Sequence, residues 1–179
     1  NQREVHRDTL GFSEALRSAL REDPDVILVG EMRDLETIST AITASEMGIL
    51  VMATLHTNGS AATVDRIVNA FPADKQNHVR TMLSTSLRGV VSQQLIPRKG
   101  TPGRVAALEV LINTPAAANL IRQGKIDQLE TVMQAGANAG MRTMDSAIEQ
   151  LLEQGLISGR SAYEKAINKT KFEPLKDMD

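Results

Sequence analysis

Glu31 is the acidic residue whose surroundings best suit chemistry, because it follows an apolar run and a glycine. The run, residues 26–29, reads Val-Ile-Leu-Val and predicts a strand buried on both faces of a parallel sheet. Glu31 would then lie at the carboxyl end of that strand, where open α/β sheets bind ligands. In a nucleotide hydrolase, an acid at this place binds magnesium through water or polarises the attacking water.

A second apolar run supports this interpretation, since an apolar run followed by Gly-Glu is common and means little alone. Residues 49–53 read Ile-Leu-Val-Met-Ala, and Thr-Leu-His-Thr follows them, with His56 as the histidine. Two buried strands, each followed by polar residues and then a helix, indicate adjacent β-α units of one parallel sheet.

The composition is that of an ordinary globular chain, and it argues against several function classes. The 179 residues suffice for one domain, or one domain with a small appendage. The net charge of -2 and the pI near 6.0 give no general attraction to nucleic acid or anionic lipid. Aromatic residues make up only 2%, which disfavours base-stacking surfaces. The absence of cysteine excludes disulfides and cysteine-ligated zinc.

No apolar run is long enough to predict a membrane helix, and no signal peptide is visible. The chain begins at Asn1 rather than at a methionine. We therefore expect these residues to be the C-terminal part of a longer protein.

Periodicity and turn residues predict alternating helices and strands over residues 1–112. Asp34 is expected to cap the helix that follows Glu31, and the basic segment 98–103 to form the tip of a hairpin. The expected elements are helix 9–22, strand 25–30, a helix that Gly48 ends, strand 49–54, a helix between Ser60 and Pro72, helix 73–88, and hairpin strands 90–96 and 104–112.

The pattern changes near residue 113, where Thr-Pro provides a helix cap with proline at the first helical position. Residues 1–112 are expected to form a first domain, and residues 113–169 a helical C-terminal domain that follows it in sequence. Its helices are predicted near 115–122, 125–134, 143–154 and 159–168. The last ten residues, 170–179, are charged and are expected to be a frayed tail.

Nucleotide hydrolysis also requires a phosphate-binding loop, usually Gly-x-x-x-x-Gly-Lys-Ser/Thr, and this chain has none. Gly124-Lys125 is followed by Ile126, and Asn119 stands where the first glycine belongs. In RecA-like ATPases the phosphate loop precedes the acidic strand. Nucleotide chemistry at Glu31 therefore requires a preceding segment, and we predict that these residues alone neither bind ATP tightly nor hydrolyse it.

Two segments resemble the secretion ATPase superfamily, the hexameric motors of type II secretion and type IV pili. They are residues 23–37, with Gly-Glu-Met-Arg-Asp at their centre, and residues 54–58, Thr-Leu-His-Thr-Asn. The resemblance implies an α/β fold, with a RecA-like P-loop NTPase core that contains a parallel sheet and a β-hairpin, and an all-helical appendage. It also implies ATP and Mg2+ as ligands. Glu31 matches the Walker B glutamate, which acts on the magnesium-bound nucleotide, and His56 matches the second His-box histidine, which senses the phosphate end.

One position departs from this family. The family usually has Thr-Gly-His-Leu before the second strand, and this chain has Met-Gly-Ile-Leu, with Ile49 in place of the first His-box histidine. An isoleucine side chain neither donates nor accepts a proton, so whatever that histidine does is absent or relocated.

Other features resemble the pilus retraction branch of the superfamily. Assembly and secretion motors contain a tetracysteine zinc module, which a chain without cysteine lacks. Residues 2–12 and 140–145 also resemble the retraction branch. The resemblance implies a homo-hexameric, ATP-hydrolysing motor for retraction and twitching motility. It would be cytoplasmic and peripheral at the inner face of the bacterial inner membrane, acting on the pilus platform protein beside related motor ATPases and binding no nucleic acid.

A motif of this branch is altered here. The branch has Ala-Ile-Arg-Asn-Leu-Ile-Arg-Glu, and residues 116–123 keep Asn-Leu-Ile-Arg but have Ala118 for arginine and Gln123 for glutamate. This segment is either a retraction element or a short packing helix.

Four arginines have two interpretations. Arg17 and Arg21 are four residues apart and share the polar face of the first predicted helix. They are either solvated charges or contacts to a neighbouring subunit's phosphates, and the same two interpretations apply to Arg3 and Arg7. Arg33 is expected to orient the loop after Glu31 rather than to contact nucleotide.

Three rival functions stay open on the sequence. The first is a pilus assembly or type II secretion motor without a zinc module. The second is a non-hydrolysing partner subunit of a mixed ring, which the loss of the first His-box histidine favours. The third is a nucleic-acid motor, which the acidic pI and the absence of a basic stripe disfavour.

Overall fold

The strand that precedes Glu31 pairs in parallel with the strand that precedes His56, as the sequence predicts. A computed structural model describes residues 1–178, and in it β1 (Val26–Val29) lies beside β2 (Leu50–Ala53). The register places Val26 opposite Leu50 and Val29 opposite Ala53. Because both strands end at the same edge of the sheet, the residues that follow them are brought together.

Only one face of this sheet is covered by residues 1–178, so the prediction of burial on both faces is wrong. Ile27 and Val29 pack with α1 (Phe12–Ala19) and α2 (Leu35–Glu46). Side chains alternate along a strand, and the other two point away from these helices, with Val26 54% and Leu28 72% exposed. An apolar run shows that a strand is suited to burial, but not which elements cover it.

The first helix is shorter than predicted at its amino end. Helix 9–22 was expected, and α1 starts at Phe12, with residues 20–22 in a 3-10 turn. Residues before it form a separate turn, in which the backbone N–H of His6 donates to the Thr9 carbonyl at 2.8 Å. The helix ends as predicted before Pro24, where Asp23 takes a left-handed conformation with φ 52°.

The predicted hairpin is confirmed. Strands β3 (Gly89–Pro97) and β4 (Arg104–Ile112) are antiparallel, with Gly89 opposite Ile112 and Pro97 opposite Arg104. Between them, Gly100 and Gly103 have φ of +71° and +108°, which favour glycine in the tight tip.

The remaining elements are helices, several of which begin at side-chain caps. Thr114, Thr143 and Ser158 each accept a hydrogen bond from a backbone N–H in the first helical turn. The helices are α3 (Ser60–Asn69), α4 (Ala73–Ser86), α5 (Pro115–Gln123), α6 (Leu129–Ala135), α7 (Met144–Glu153), α8 (Gly159–Lys165) and α9 (Lys169–Phe172).

Two large apolar cores hold these elements together. The first joins α2, α3 and α4 to α5 and α6 and to the end of β4. The second joins the tip half of the hairpin to α7, α8 and α9. The first core contains residues from both sides of position 113, so α5 and α6 pack with the α/β part. The domain boundary at 113 stays a prediction.

The expected frayed tail contains ordered turns, since α9 extends to Phe172 and residues 173–175 form a 3-10 turn, while most side chains of residues 170–178 are exposed. Phe172 is fully buried against the second core. The backbone N–H of Arg160 donates to the Met178 carbonyl at 2.8 Å. Asp145, at the start of α7, accepts the backbone N–H groups of Ile167 and Asn168 at 2.7 and 2.9 Å. These contacts fasten the segment before α9 to α7.

Replacing Asp34 with alanine is expected to lower the free energy of unfolding by about 1 kcal/mol, the usual cost of losing an N-cap. Asp34 Oδ1 accepts the Thr37 backbone N–H at 2.8 Å, and Oδ2 accepts the Thr37 hydroxyl at 3.1 Å. Urea denaturation of the 179-residue protein measures the change. Asp65→Ala, at an exposed position inside α3, is the control; an equal loss in both variants would contradict the cap assignment.

Candidate functional site

Glu31 is positioned by contacts that continue the β1–β2 pairing beyond the two strands. The backbone N–H of Met32 donates to the Thr54 carbonyl at 3.0 Å, and the Thr54 hydroxyl donates to the Gly30 carbonyl. These bonds tie the segment around Glu31 to the residues after β2. Glu31 is consequently held by backbone contacts on both sides, with its side chain 18% exposed.

The Glu31 carboxylate contacts two nitrogen side chains, one at each oxygen. His56 Nε2 lies 3.1 Å from Oε1, and Arg33 Nε lies 2.6 Å from Oε2. Both partners are open to solvent, and the His56 side chain is 84% exposed. Exposed ion pairs contribute little stability, so this arrangement can rearrange at small cost.

The contact between His56 and Glu31 depends on which imidazole nitrogen has a hydrogen. A carboxylate oxygen only accepts, so a hydrogen bond between these two atoms would require a hydrogen on Nε2. In neutral imidazole this leaves Nδ1 as an acceptor, whereas protonated imidazole donates from both nitrogens. In either form, an imidazole nitrogen lies 3.1 Å from the predicted catalytic acid.

The structure therefore brings together Glu31 and His56, which the sequence had marked separately, and adds Arg33. The sequence assigned Arg33 to orienting the loop, and its direct contact with Glu31 was missed. Its position two residues after the acid was the available signal, because a long cationic side chain so near can reach back to the carboxylate.

The four arginines proposed for a neighbour's phosphates make different contacts within the chain. Arg3 pairs with Glu22 and donates to the Ala15 carbonyl at 3.3 Å. The remaining contacts are Arg7 with Glu4 at 3.5 Å and Arg17 with Glu36 at 2.7 Å, and within residues 1–178 Arg21 has no ion-pair partner. Their inter-subunit role stays a prediction.

Ile49 lies at the opposite end of β2 from His56. Its backbone N–H donates to the Ala44 carbonyl at 3.2 Å, at the end of α2. The strand between Ile49 and Ala53 spans about 13 Å. Ile49 also lines a cavity of about 470 Å³ with Met32 and Val51, and its apolar side chain suits that surrounding.

The acidic site by itself does not resemble a complete metal centre. Within residues 1–178, no cluster of three or more His, Cys, Asp or Glu residues suits a metal ion. Magnesium usually keeps several waters and binds one or two carboxylates together with substrate phosphates. The single carboxylate of Glu31 fits that mode of binding and does not fit an all-protein cage.

A cleft next to β1 reaches the residue before Glu31. Its volume is about 740 Å³, and Arg3, Phe12, Leu28 and Gly30 are among its lining residues. The cleft is lined both by exposed Leu28 and by α1, which packs on the covered face of β1.

Helix α5, which contains the altered motif, has a packing role. Ala117 and Ile121 are fully buried in the first core. Ala118 is half-buried, and Asn119 and Gln123 are exposed, with a 3.2 Å hydrogen bond between their amides. The packing interpretation is supported, and a retraction role for the exposed face stays a prediction.

Known proteins resemble this chain over most of its length. The family model described as type II/IV secretion system protein matches residues 1–168. The type IV pilus retraction ATPase PilT of Pseudomonas aeruginosa is 60% identical over 166 residues, which cover 93% of this chain and 48% of that protein. A twitching motility protein of Neisseria gonorrhoeae is 56% identical over 168 residues, 94% of this chain and 45% of that protein.

A solved structure agrees as well. The crystal structure of the pilus retraction motor PilT with bound ADP has a TM-score of 0.88 and 49% identity, and the match covers 97% of this chain and 49% of that chain. The chain thus spans about half the length of these proteins. The match confirms the predicted α/β secretion-ATPase fold.

Proposed function

We propose that this chain, which belongs to the type II/IV secretion system protein family, is part of an ATP-hydrolysing motor subunit for type IV pilus retraction. Glu31 would be its Walker B acid, and its phosphate loop would lie in a preceding segment. The observation that supports this best is the Glu31 carboxylate at the shared carboxyl edge of β1 and β2, in contact with His56 at 3.1 Å.

In this proposal, Glu31, His56 and Arg33 have separate roles. Glu31 would hold Mg2+ through water and orient the attacking water, and the bound ion would supply positive charge near the phosphates of ATP. His56, on the same carboxylate, responds to the phosphate end of the nucleotide. Arg33 neutralises Glu31 when no cation is near, and its exposed pair separates at small cost.

Retraction is the role favoured by the relatives, whose names specify a retraction ATPase and a twitching motility protein. In the proposed assembly, six copies form a ring at the cytoplasmic face of the inner membrane and act on the pilus platform protein beside related motor ATPases. No helix within residues 1–178 is long and apolar enough to span a bilayer.

The phenotype of a gene deletion distinguishes a retraction motor from an assembly motor. If the protein is a retraction motor, the deletion strain should have excess pili that do not retract and should lose twitching. The wild-type gene should restore both retraction and twitching. Loss of all surface pili would instead favour an assembly motor without a zinc module.

A non-hydrolysing partner subunit is the second candidate, and Ile49 in place of a histidine favours it. The ATPase rate of the isolated full-length protein discriminates. Turnover in the absence of any partner supports the motor, whereas turnover only in a mixed ring supports the partner subunit.

Residues 1–179 alone are expected to bind ATP weakly and to hydrolyse none, because they contain no phosphate loop. Isothermal titration calorimetry of this chain with Mg-ATP measures the affinity, with the full-length protein as the positive control. Micromolar binding by residues 1–179 would contradict the expectation and would place a nucleotide site within these residues.

A further inference from the structure

We propose that Glu109 is a positioning residue that links residues 54–59, the His56 loop, to α7, so that nucleotide-dependent movement at His56 reaches the C-terminal helices. The inference rests on the proposed function of Glu31 and His56. It concerns a residue outside that site, in the middle of β4.

Glu109 is a buried acid in an apolar strand. It is 3% exposed, and its neighbours in sequence are Leu108 and Val110. Burying a carboxylate is costly unless it is paired or hydrogen-bonded. A lone acid in the run Val-Ala-Ala-Leu-Glu-Val-Leu-Ile was visible in the sequence, and its position calls for a structural explanation.

The explanation is that Glu109 accepts hydrogen bonds at the start of two helices. Oε1 accepts the backbone N–H of Ser60 at 2.6 Å, and Oε2 accepts the backbone N–H of Met144 at 3.2 Å. These are the first residues of α3 and α7. Helix N-termini have unpaired N–H groups and a positive dipole end, which together stabilise a negative charge. One carboxylate thus caps both helices.

The first of these contacts fixes the far end of the His56 loop. Gly59, with φ 97°, precedes Ser60, and its backbone N–H donates to Ser92 Oγ at 3.0 Å. Ser92 pairs directly with Glu109 across the hairpin. At its near end, the loop is tied by Thr54 to the segment before Glu31. His56 therefore lies between an attachment to β1 and an attachment to Glu109.

The second contact connects Glu109 to the C-terminal core. Next to Met144, Arg142 extends the hairpin: Val110 N–H donates to the Arg142 carbonyl at 2.8 Å and Arg142 N–H donates to the Val110 carbonyl at 3.0 Å. Met144 and Ile148 are buried in the second core with Phe172. A shift of Glu109 would consequently move the first turn of α7 and the helices packed on it.

If Glu109 only stabilises the fold, its loss should not interrupt the response of α7 to nucleotide. Two matched pairs of substitutions distinguish this structural role from the proposed positioning role. Ser60→Pro removes the N–H that Glu109 accepts and sets its ring against the carboxylate, at a first helical position whose φ suits proline. Ser60→Ala keeps that N–H and removes a hydroxyl that has no partner within residues 1–178. Glu109→Gln removes the charge with little change in shape, and Glu130→Gln at an exposed position of α6 is its control.

The experiment is hydrogen exchange of the full-length protein, with and without a non-hydrolysable ATP analogue, together with kcat and KM. In the parent and both controls, we expect nucleotide to change exchange in residues 54–60 and in residues 144–148. In Glu109→Gln and Ser60→Pro, we expect the first response to persist and the second to be lost. The kcat should fall by about 2- to 30-fold, the range for residues that couple sites, with KM nearly unchanged.

The outcomes separate this inference from the function on which it rests. A persistent response in residues 144–148 of both Glu109→Gln and Ser60→Pro would overturn the role of Glu109 alone, as would a parent that responds only in residues 54–60. A parent without turnover and without any response in residues 54–60 would overturn the proposed function and the inference together. If Glu109→Gln or Ser60→Pro does not fold, Glu109→Asp, which keeps the charge but shortens the side chain, takes its place, and a persistent response in residues 144–148 of that variant overturns the role of Glu109.

Discussion

Glu31→Gln in the full-length protein is expected to lower the steady-state ATPase rate by at least about 100-fold, within the usual contribution of a positioned acid or base. Glutamine preserves the size of the side chain and can still accept a hydrogen bond, but it removes the negative charge. Affinity for nucleotide should change little, because the phosphate loop provides most of the binding. The measurement is kcat by phosphate release and Kd by fluorescent-nucleotide titration, at concentrations where the protein forms rings.

The control for this prediction is Glu46→Gln, at an exposed position near the end of α2. It removes the same charge from the helix that follows the site and should leave kcat unchanged. Parental turnover in Glu31→Gln would show that the acid after β1 has no part in hydrolysis. A loss of binding equal to the loss of turnover would instead assign Glu31 to nucleotide affinity.

Phe172→Ala is expected to lower the free energy of unfolding by about 3–5 kcal/mol, the usual cost of removing a buried aromatic side chain. Phe172 is 2% exposed and packs with Ile148 and Ile157 in the second core. Its ring belongs to the core that α9 shares with α7 and α8. Urea denaturation of the 179-residue protein, followed by circular dichroism, measures the change.

Ile167→Ala is the control for Phe172→Ala. Ile167 lies five residues earlier and is 57% exposed, so its loss should change the free energy of unfolding by about 0.5 kcal/mol or less. Equal effects in the two variants would show that the segment after residue 169 is loosely attached, as the sequence had suggested.

The sequence predicts the two strands that position the site, but not the contacts between the side chains that follow them. The apolar runs before Glu31 and His56 predicted two parallel strands, and the register confirms that their carboxyl ends meet. The contact between the two side chains depends on the loops after those strands, which periodicity does not describe. Arg33 was underestimated for the same reason, since its reach to Glu31 depends on the local turn.

Burial was harder to predict than secondary structure. The run 26–29 has the composition of a strand covered on both faces, and only its Ile27 and Val29 side are covered within residues 1–178. Phe172 is the reverse case, a single aromatic in a charged segment that is buried in the second core, just after a stretch bonded to the distant Asp145 carboxylate. Both outcomes depend on contacts between segments far apart in sequence, which a local pattern does not specify.

Glu109 is a residue whose need for a partner is visible in the sequence, while the partner itself is not. A lone acid within an apolar strand has to be paired, and its partners turned out to be backbone N–H groups 35 and 49 residues away. Because those donors are backbone groups, no side-chain motif identifies them. The helix starts at Ser60 and Met144 could be predicted, whereas their convergence on one carboxylate required the structure.

The most direct measurement of the central claim is single-turnover hydrolysis of bound ATP in the full-length protein and in Glu31→Gln. Each protein is mixed with substoichiometric radiolabelled ATP and quenched with acid, and the ratio of bound ADP to ATP is followed in time. If Glu31 acts in the chemical step, the parent converts its ATP to ADP while Glu31→Gln retains ATP. Conversion at the parental rate in Glu31→Gln would contradict the assignment of Glu31 as the Walker B acid.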